Sequence, residues 1–93
     1  MSMSKEDFLT RSSVQVETLE YWIEQRWIIP EQSPAGVHFS DRDVARARLV
    51  QDLSRDFGIN DEGIDVILHL MDQLHGLRRA LAHLQTDIQG KPR

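Results

Sequence analysis

The side chains of this chain best placed to do chemistry are carboxylates on an amphipathic segment. Glu17, Glu20 and Glu24 recur at steps of three and four residues, which places them on one face of a helix. The opposite face is apolar and consists of Val16, Leu19, Ile23 and Trp27. Phosphate contacts from Lys and Arg supply most of the non-specific affinity for nucleic acids. An exposed acidic face therefore favours a protein ligand over a polyanion.

The histidines do not form a recognisable metal or catalytic pattern. His69, His75 and His83 follow one another at intervals of six and eight residues, whereas a helical metal pair needs an interval of about four. The chain has no cysteine, so thiolate ligands and disulfides are excluded. Neither a Ser-His-Asp constellation nor a glycine-rich phosphate loop is present. We therefore expect no enzyme activity, no metal and no cofactor.

Composition indicates one small soluble protein. The chain has 93 residues, a net charge of −4, 40% hydrophobic residues and 28% charged residues, values of an ordinary globular domain. A single core is barely sufficient at this size, so association of subunits would be a natural supplement. No apolar run approaches the roughly 20 residues that span a bilayer, and the N-terminal residues lack the apolar region of a signal peptide. We expect a cytoplasmic protein without membrane contact.

The elements that position the acidic face can be predicted from local signals. Ser4 is a suitable N-cap for a first helix, with Asp7 three residues later. A second helix is predicted over 16–26, and Pro30 prevents its continuation. Turn-forming and alternating residues over 28–39 predict a small β-hairpin, or wing. We expect Trp22 and Trp27 to pack in the core and against this wing.

Two further helices are predicted after the hairpin. Ser40 is a suitable N-cap for the third helix, Gly58 fits a left-handed C-cap, and Asn60 caps the last helix. The domain organisation is therefore 4–58 followed by a terminal helix over 60–89. The predicted buried side of the third helix consists of Val44, Ala47, Leu49, Val50, Leu53 and Phe57.

The last helix carries an apolar stripe with the spacing of a short coiled coil. Its members recur at alternating steps of three and four residues, and they are Ile67, Leu70, Leu74, Leu77, Leu81, Leu84 and Ile88. Ile64, Leu68 and Met71 widen the first half of the stripe, which indicates contact with the domain's own core as well. We predict a homodimer through this helix; an intramolecular hairpin is the alternative.

Three motifs in the first two thirds of the chain resemble the MerR family of regulators. They are Val14-x-x-x-Thr18-Leu19-x-Tyr21-Trp22, then Trp27-Ile28-x-Pro30, then Gly36-x-x-Phe39-Ser40-x-x-Asp43-Val44. The resemblance covers 4–57. It implies a mostly α, winged helix-turn-helix fold with a small β wing, a long C-terminal dimerisation helix and a DNA-binding role. The residues that would then contact DNA are Thr18, Tyr21, His38, Arg42 and Arg46.

The same comparison identifies departures that weaken the DNA-binding interpretation. Glu17 and Glu20 stand where the family carries arginines around its Thr-Leu pair, and His38 replaces the arginine of the wing. Two Arg-to-Glu changes alter the charge of each reading helix by four units, so contacts with phosphate become repulsive.

A narrower resemblance extends over the last helix. The run Gly63-Ile64-x-Val66-x-Leu68-x-Leu70-Met71-Asp72-x-Leu74-x-x-Leu77 is similar to the chaperone-modulator proteins, which are MerR-like and bind the J-domain of a DnaJ-type co-chaperone. This resemblance implies an inhibitory protein ligand for a basic J-domain helix. The residues that would contact it are Asp65, Leu68, His69 and Asp72. A co-chaperone modulator and a DNA-binding regulator thus remain the two interpretations.

Overall fold

The fold is mostly α, as the sequence predicts, with a small antiparallel sheet beside the helices. The computed structural model describes the backbone of residues 2–90 and the side chains of residues 2–88. The helices are α1 (Lys5–Ser12), α2 (Val16–Glu24), α3 (Asp41–Arg55) and α4 (Asp61–Gly90). The strands are β1 (Ser2–Met3), β2 (Glu31–Ser33) and β3 (Gly36–Ser40).

Local signals explain where α1 begins and where α1 and α2 end. The Ser4 hydroxyl accepts a hydrogen bond from the backbone N–H of Asp7 at 3.2 Å, which confirms the predicted cap. Helix α1 ends at Ser12, because the next residue, Ser13, has a left-handed φ of 57°. Helix α2 ends two residues earlier than predicted, because Arg26 is also left-handed with a φ of 63°. The N–H of Trp27 then donates to the carbonyl of Trp22 at 2.9 Å.

The predicted wing is a hairpin, and it gains a third strand that the sequence did not indicate. Strand β3 lies in the middle of the sheet, between β1 and β2. Ser2 pairs with Ser40, and Met3 pairs with Phe39. A strand of two residues is too short for an alternating pattern, so no sequence signal marked β1. Ile28 and Ile29, expected within the hairpin, precede it, and Ile28 is buried in the core.

Helix α3 begins with a reciprocal cap and ends before its last predicted core residue. The Ser40 hydroxyl accepts from the N–H of Asp43 at 3.2 Å, and the Asp43 carboxylate accepts from the N–H of Ser40 at 2.9 Å. Gly58 has the predicted left-handed φ, at 63°. The prediction that Phe57 is buried was wrong, since its side chain is 72% exposed. Helix α3 ends at Arg55, so Phe57 no longer lies on its buried face.

The hydrophobic core joins all four helices described over residues 2–90 to the sheet. The rings of Phe8 and Phe39 stack with centroids 4.5 Å apart, which packs α1 on β3. Trp22 and Trp27 are buried, as predicted. Helix α4 contributes Ile64 and Leu68 to this core, both almost completely buried. None of the helices in the described part of the chain combines the length and the apolar character needed to cross a membrane.

Candidate functional site

The exposed face of α2 is acidic, as the sequence predicts. Helix α2 buries Leu19 and Trp22 against the core, so the residues between them face solvent. Glu17, Glu20 and Glu24 are all exposed. The ammonium of Lys5 lies 3.4 Å from the carboxylate of Glu20, and both groups are well exposed, so this pair contributes little to stability.

Tyr21 stands among these carboxylates and binds one that comes from α4. Its hydroxyl donates a hydrogen bond to Asp61 Oδ2 at 2.6 Å. That hydrogen bond raises the pKa of Tyr21 above its ordinary value, with smaller contributions from burial and from the charges of Asp61, Glu24 and Glu62. Glu24 of α2 and two acids of the α4 N-terminus, Asp61 and Glu62, thus act on the same phenol. We call Glu17, Glu20, Glu24, Asp61 and Glu62 the acidic surface.

Trp27 makes a second contact between the winged-helix domain and α4. Its indole Nε1 donates to Asp65 Oδ1 at 3.1 Å. Its ring meets the ring of Tyr21 edge-on, with centroids 5.8 Å apart and an interplanar angle of 81°. The two aromatic side chains thus support each other while each binds a different carboxylate of the same helix.

Arg46 of α3 makes a third such contact, and its geometry is the most specific of the three. Its Nη1 and Nη2 donate to Asp72 Oδ1 and Oδ2 at 2.7 and 3.0 Å, a bidentate pair. Its Nε also donates to the carbonyl oxygen of Trp27. The hydrogen bonds from Arg46 lower the pKa of Asp72, against an opposing effect of burial. The guanidinium is therefore already hydrogen-bonded to α4 and to the turn that precedes the wing.

Together these contacts form one array, which we call the polar clasp. Its donors are Tyr21, Trp27 and Arg46, and its acceptors are Asp61, Asp65 and Asp72. At about 100° per residue, the acceptors fall within about 40° of the α4 circumference. Sequence reasoning missed the clasp as a unit. The intervals of four and seven residues between the three acids were its only signal, and they do not identify the donors.

The apolar stripe of α4 lies on nearly the opposite side of the helix from the clasp. Its centre is about 160° away from the acceptors. We call Leu70, Leu74, Leu77, Leu81, Leu84 and Ile88 the leucine stripe; their side chains are between 46% and 67% exposed. Ile67, the seventh predicted member, is only partly exposed. Helix α4 continues without a turn to Gly90, so the alternative of an intramolecular hairpin was wrong.

Two predictions about the partner site need correction. Leu68 was expected to anchor a partner, but it is 2% exposed and belongs to the core, because it lies beside Ile64 on the buried side of α4. Asp72 was expected to contact a partner, but both of its carboxylate oxygens already accept hydrogen bonds from Arg46 in the clasp. Asp65 and His69 are exposed. His69 Nε2 lies 3.2 Å from the amide nitrogen of Gln73.

The residues of the DNA-binding interpretation are brought together only in part. Thr18 and Arg42 are exposed, and His38 Nε2 lies 3.0 Å from the hydroxyl of Ser33 in the wing. Arg42 and Arg46, both expected to contact DNA, do not form a joint basic patch, because the Arg46 guanidinium binds Asp72. Tyr21 likewise donates its hydroxyl to a carboxylate.

Histidine and acidic side chains are the possible metal ligands among the side chains that the structure describes. Within that part of the chain, no three histidine or acidic side chains come together in an arrangement that could hold a metal ion.

Helix, turn, helix and wing, followed by α3 and the long terminal helix α4, define a winged helix-turn-helix protein. The chain matches a family model described as "MerR HTH family regulatory protein" over residues 3–86, and it belongs to that family. The comparisons with curated proteins and with solved structures give no match.

Proposed function

We propose that this MerR-family chain is a non-enzymatic protein-binding modulator whose ligand is the J-domain of a DnaJ-type co-chaperone, which it inhibits. The observation that carries the proposal is the acidic surface. The helix that would read DNA presents Glu17, Glu20 and Glu24 to solvent, and Tyr21 at its centre is bonded to Asp61. A basic polypeptide complements such a surface.

The magnitude of the charge effect supports a ligand other than DNA. At an effective dielectric constant between 20 and 80, one near contact between a carboxylate and a phosphate is unfavourable by ~1–4 kcal/mol. Specific DNA binding exceeds non-specific binding by only ~4–10 kcal/mol. Two such contacts in each subunit are therefore enough to cancel specificity. The Arg46 guanidinium, already paired with Asp72, offers little compensation.

The choice of a J-domain rests on the resemblance of residues 63–77 to the chaperone modulators. That resemblance implies a basic helix as the ligand. Asp65 and His69 are exposed on α4, and Asp65 lies near the acidic surface through its contact with Trp27. Charges at the rim of such an interface mainly increase the association rate and select the partner.

We also propose that two copies associate through the leucine stripe. Six large apolar side chains follow one another along one side of α4, at the spacing of a coiled-coil seam. Covering them with the same stripe of a second copy would remove this apolar surface from water.

A DNA-binding transcriptional regulator is the second candidate, and the family match supports it equally well. That match covers the helix-turn-helix and the wing. In this case Thr18, Arg42 and His38 would supply contacts, and Tyr21 and Arg46 would have to leave the clasp first.

A gel-shift titration with a pool of random-sequence duplexes separates the two candidates. A regulator binds the pool at low salt and loses affinity steeply as salt increases. The proposed modulator gives no shift even at the lowest salt. Salt-sensitive retention of the duplexes would therefore refute the proposal and favour the regulator.

Capture of a purified J-domain from the same genome tests the partner directly. We expect the Glu17→Lys, Glu24→Lys double variant to lose capture, since it reverses the charge of the acidic surface. Asp52→Lys, on the exposed part of α3, is the control for charge reversal and should retain capture. Equal capture by all three proteins would remove the α2 face from the interface.

A further inference from the structure

We propose that Arg46 is a positioning residue that fixes the direction in which α4 leaves the winged-helix domain. Through the polar clasp, Arg46 would hold the acidic surface of α2 and the leucine stripe of α4 in one fixed relation. This proposal goes beyond the function proposed above, and it applies whether the ligand is a protein or DNA.

The apolar attachment of α4 is small compared with the length of the helix. Ile64 and Leu68 are its buried residues, and Met71 is partly buried against the core. All three lie within the first 11 residues of a helix of 30 residues. The side chains of residues 73–88 are exposed, with only Gly76 intermediate. The direction of the longer, exposed part of α4 therefore depends on the contacts that its first residues make with the domain.

A small tilt where α4 attaches to the domain produces a large displacement at the far end of the helix. The helix rises about 1.5 Å per residue, so Ile88 lies about 25 Å beyond Met71, and a tilt of about 10° moves it by about 4 Å. Two or three apolar contacts constrain such a tilt poorly, because apolar contacts have no preferred direction. Hydrogen bonds with a defined geometry constrain it much better.

Arg46 is the member of the clasp best suited to this task. Asp72 is the last clasp acceptor along α4, so it lies where resistance to tilting has the longest arm. The guanidinium binds both oxygens of Asp72 and also donates to the backbone of Trp27. A planar fork that makes three contacts fixes an angle, whereas the point charge of a lysine does not.

The same arginine connects the two surfaces. Trp27, whose carbonyl oxygen accepts from Arg46, also binds Asp65 and supports the ring of Tyr21. Tyr21 belongs to the exposed α2 face. A displacement of α4 therefore has to break contacts that begin at the base of that face.

Distances between spin labels test the proposal. The chain has no cysteine, so no native thiol has to be removed. Gln15→Cys places one label on the winged-helix domain, and Gln85→Cys places the other on α4. Both positions are exposed. Diluting the labelled chain with unlabelled chain leaves only distances within one chain. We expect one narrow distance distribution for the otherwise unchanged protein.

Three variants and one control complete the experiment. Arg46→Met, Arg46→Lys and Asp72→Asn should each broaden the distribution and shift its centre. Combining Arg46→Met with Asp72→Asn should add nothing to the larger single effect. Arg48→Met removes the same charge from an exposed position of the same helix and should leave the distribution unchanged. An unchanged distribution in Arg46→Met and Asp72→Asn would overturn the proposal, as would equal broadening in Arg48→Met.

Amide hydrogen exchange provides a second readout that does not depend on labels. We expect Arg46→Met to increase the amide exchange rates in the first turns of α4, whereas the rates in α3 should stay unchanged. Increased exchange throughout both helices would instead mean that Arg46 supports the whole fold, and it would overturn the specific positioning role.

Discussion

Tyr21 illustrates how one side chain reports on the surface around it. It is the only tyrosine of the chain, and its hydroxyl donates to a carboxylate from another helix. The exposure of Tyr21 follows from its position on the outer face of α2 and could be predicted from the sequence. Its hydrogen-bond partner could not, because Asp61 lies 40 residues further along the chain.

Titration of the phenol should show this environment directly. The pKa of Tyr21 is raised, mainly by the hydrogen bond to Asp61, so the absorbance of the tyrosinate should appear at higher pH than for free tyrosine. The stability that this contact contributes is present below the ordinary tyrosine pKa and is lost as the pH rises through the folded-state value. Asp61→Ala should lower the titration midpoint, while Glu31→Ala in the wing should leave it unchanged. A midpoint that does not respond to Asp61→Ala would exclude the contact.

Asp72 should make stability depend on acidity in the opposite sense. Its pKa is lowered, first by the hydrogen bond from Arg46. Its contribution is therefore complete above the ordinary carboxyl pKa and is lost as the pH falls through the lowered value. Because the Asp72 side chain is 55% exposed, we expect Asp72→Asn to reduce the free energy of unfolding by about 1 kcal/mol or less at neutral pH.

Urea unfolding at several pH values measures this contribution. The difference between the parent protein and Asp72→Asn should decrease as the solution becomes acidic. Asp52→Asn, at an exposed position, serves as the control. A difference that stays constant with pH would mean that charge plays no part in the effect of Asp72.

At the scale of elements, the sequence correctly predicted the features that depend on residues close together in the chain. The caps at Ser4, Ser40 and Asn60 were all correct, because a cap depends on residues three positions apart. The clasp was missed, because its members are 26 to 40 residues apart and any exposed acid could have been one of them. The assignment of Leu68 to the partner site was wrong for another reason: it came from the resemblance of residues 63–77, whereas the widened stripe correctly placed Leu68 towards the core.

The two glycines of α4 should respond in opposite ways to substitution by alanine. A Cβ at Gly76 would meet nothing within 4 Å, so Gly76→Ala should stabilise the helix by about 1 kcal/mol. A Cβ at Gly63 would lie 2.6 Å from the Cγ2 of Ile59, a branched and partly buried residue, so Gly63→Ala should destabilise it. Melting temperatures compare the two variants. A lower melting temperature in Gly76→Ala would indicate that another chain packs closely against that position.

At the scale of the whole molecule, the shape is that of a small domain with a projecting helix. The principal extents are 56, 35 and 19 Å. Family, fold class and the acidity of α2 could all be predicted from the sequence. The relation between the α2 face and the leucine stripe could not, because it depends on how α4 is fixed to the domain. In the proposed dimer, that relation would determine which surfaces remain available to a ligand.

Light scattering tests the proposed association. Leu77→Glu introduces a charge near the middle of the leucine stripe, so the mass of the particle should fall from that of two chains to that of one. His83→Glu adds the same charge about 140° around the helix from the centre of the stripe and should leave the mass unchanged. A two-chain mass in Leu77→Glu would show that the stripe is not the seam.

The exposed second part of α4 has a consequence for how helicity depends on concentration. Helices of about 12–15 residues are marginal in water on their own, and residues 73–88 receive little support from the rest of the described chain. When the leucine stripe of a second copy covers these turns, helix formation in this segment is coupled to dimerisation. Both then depend on the protein concentration. Dilution should therefore unwind this segment, seen as a decrease in far-ultraviolet circular dichroism per residue, while the signals of the buried tryptophans stay constant.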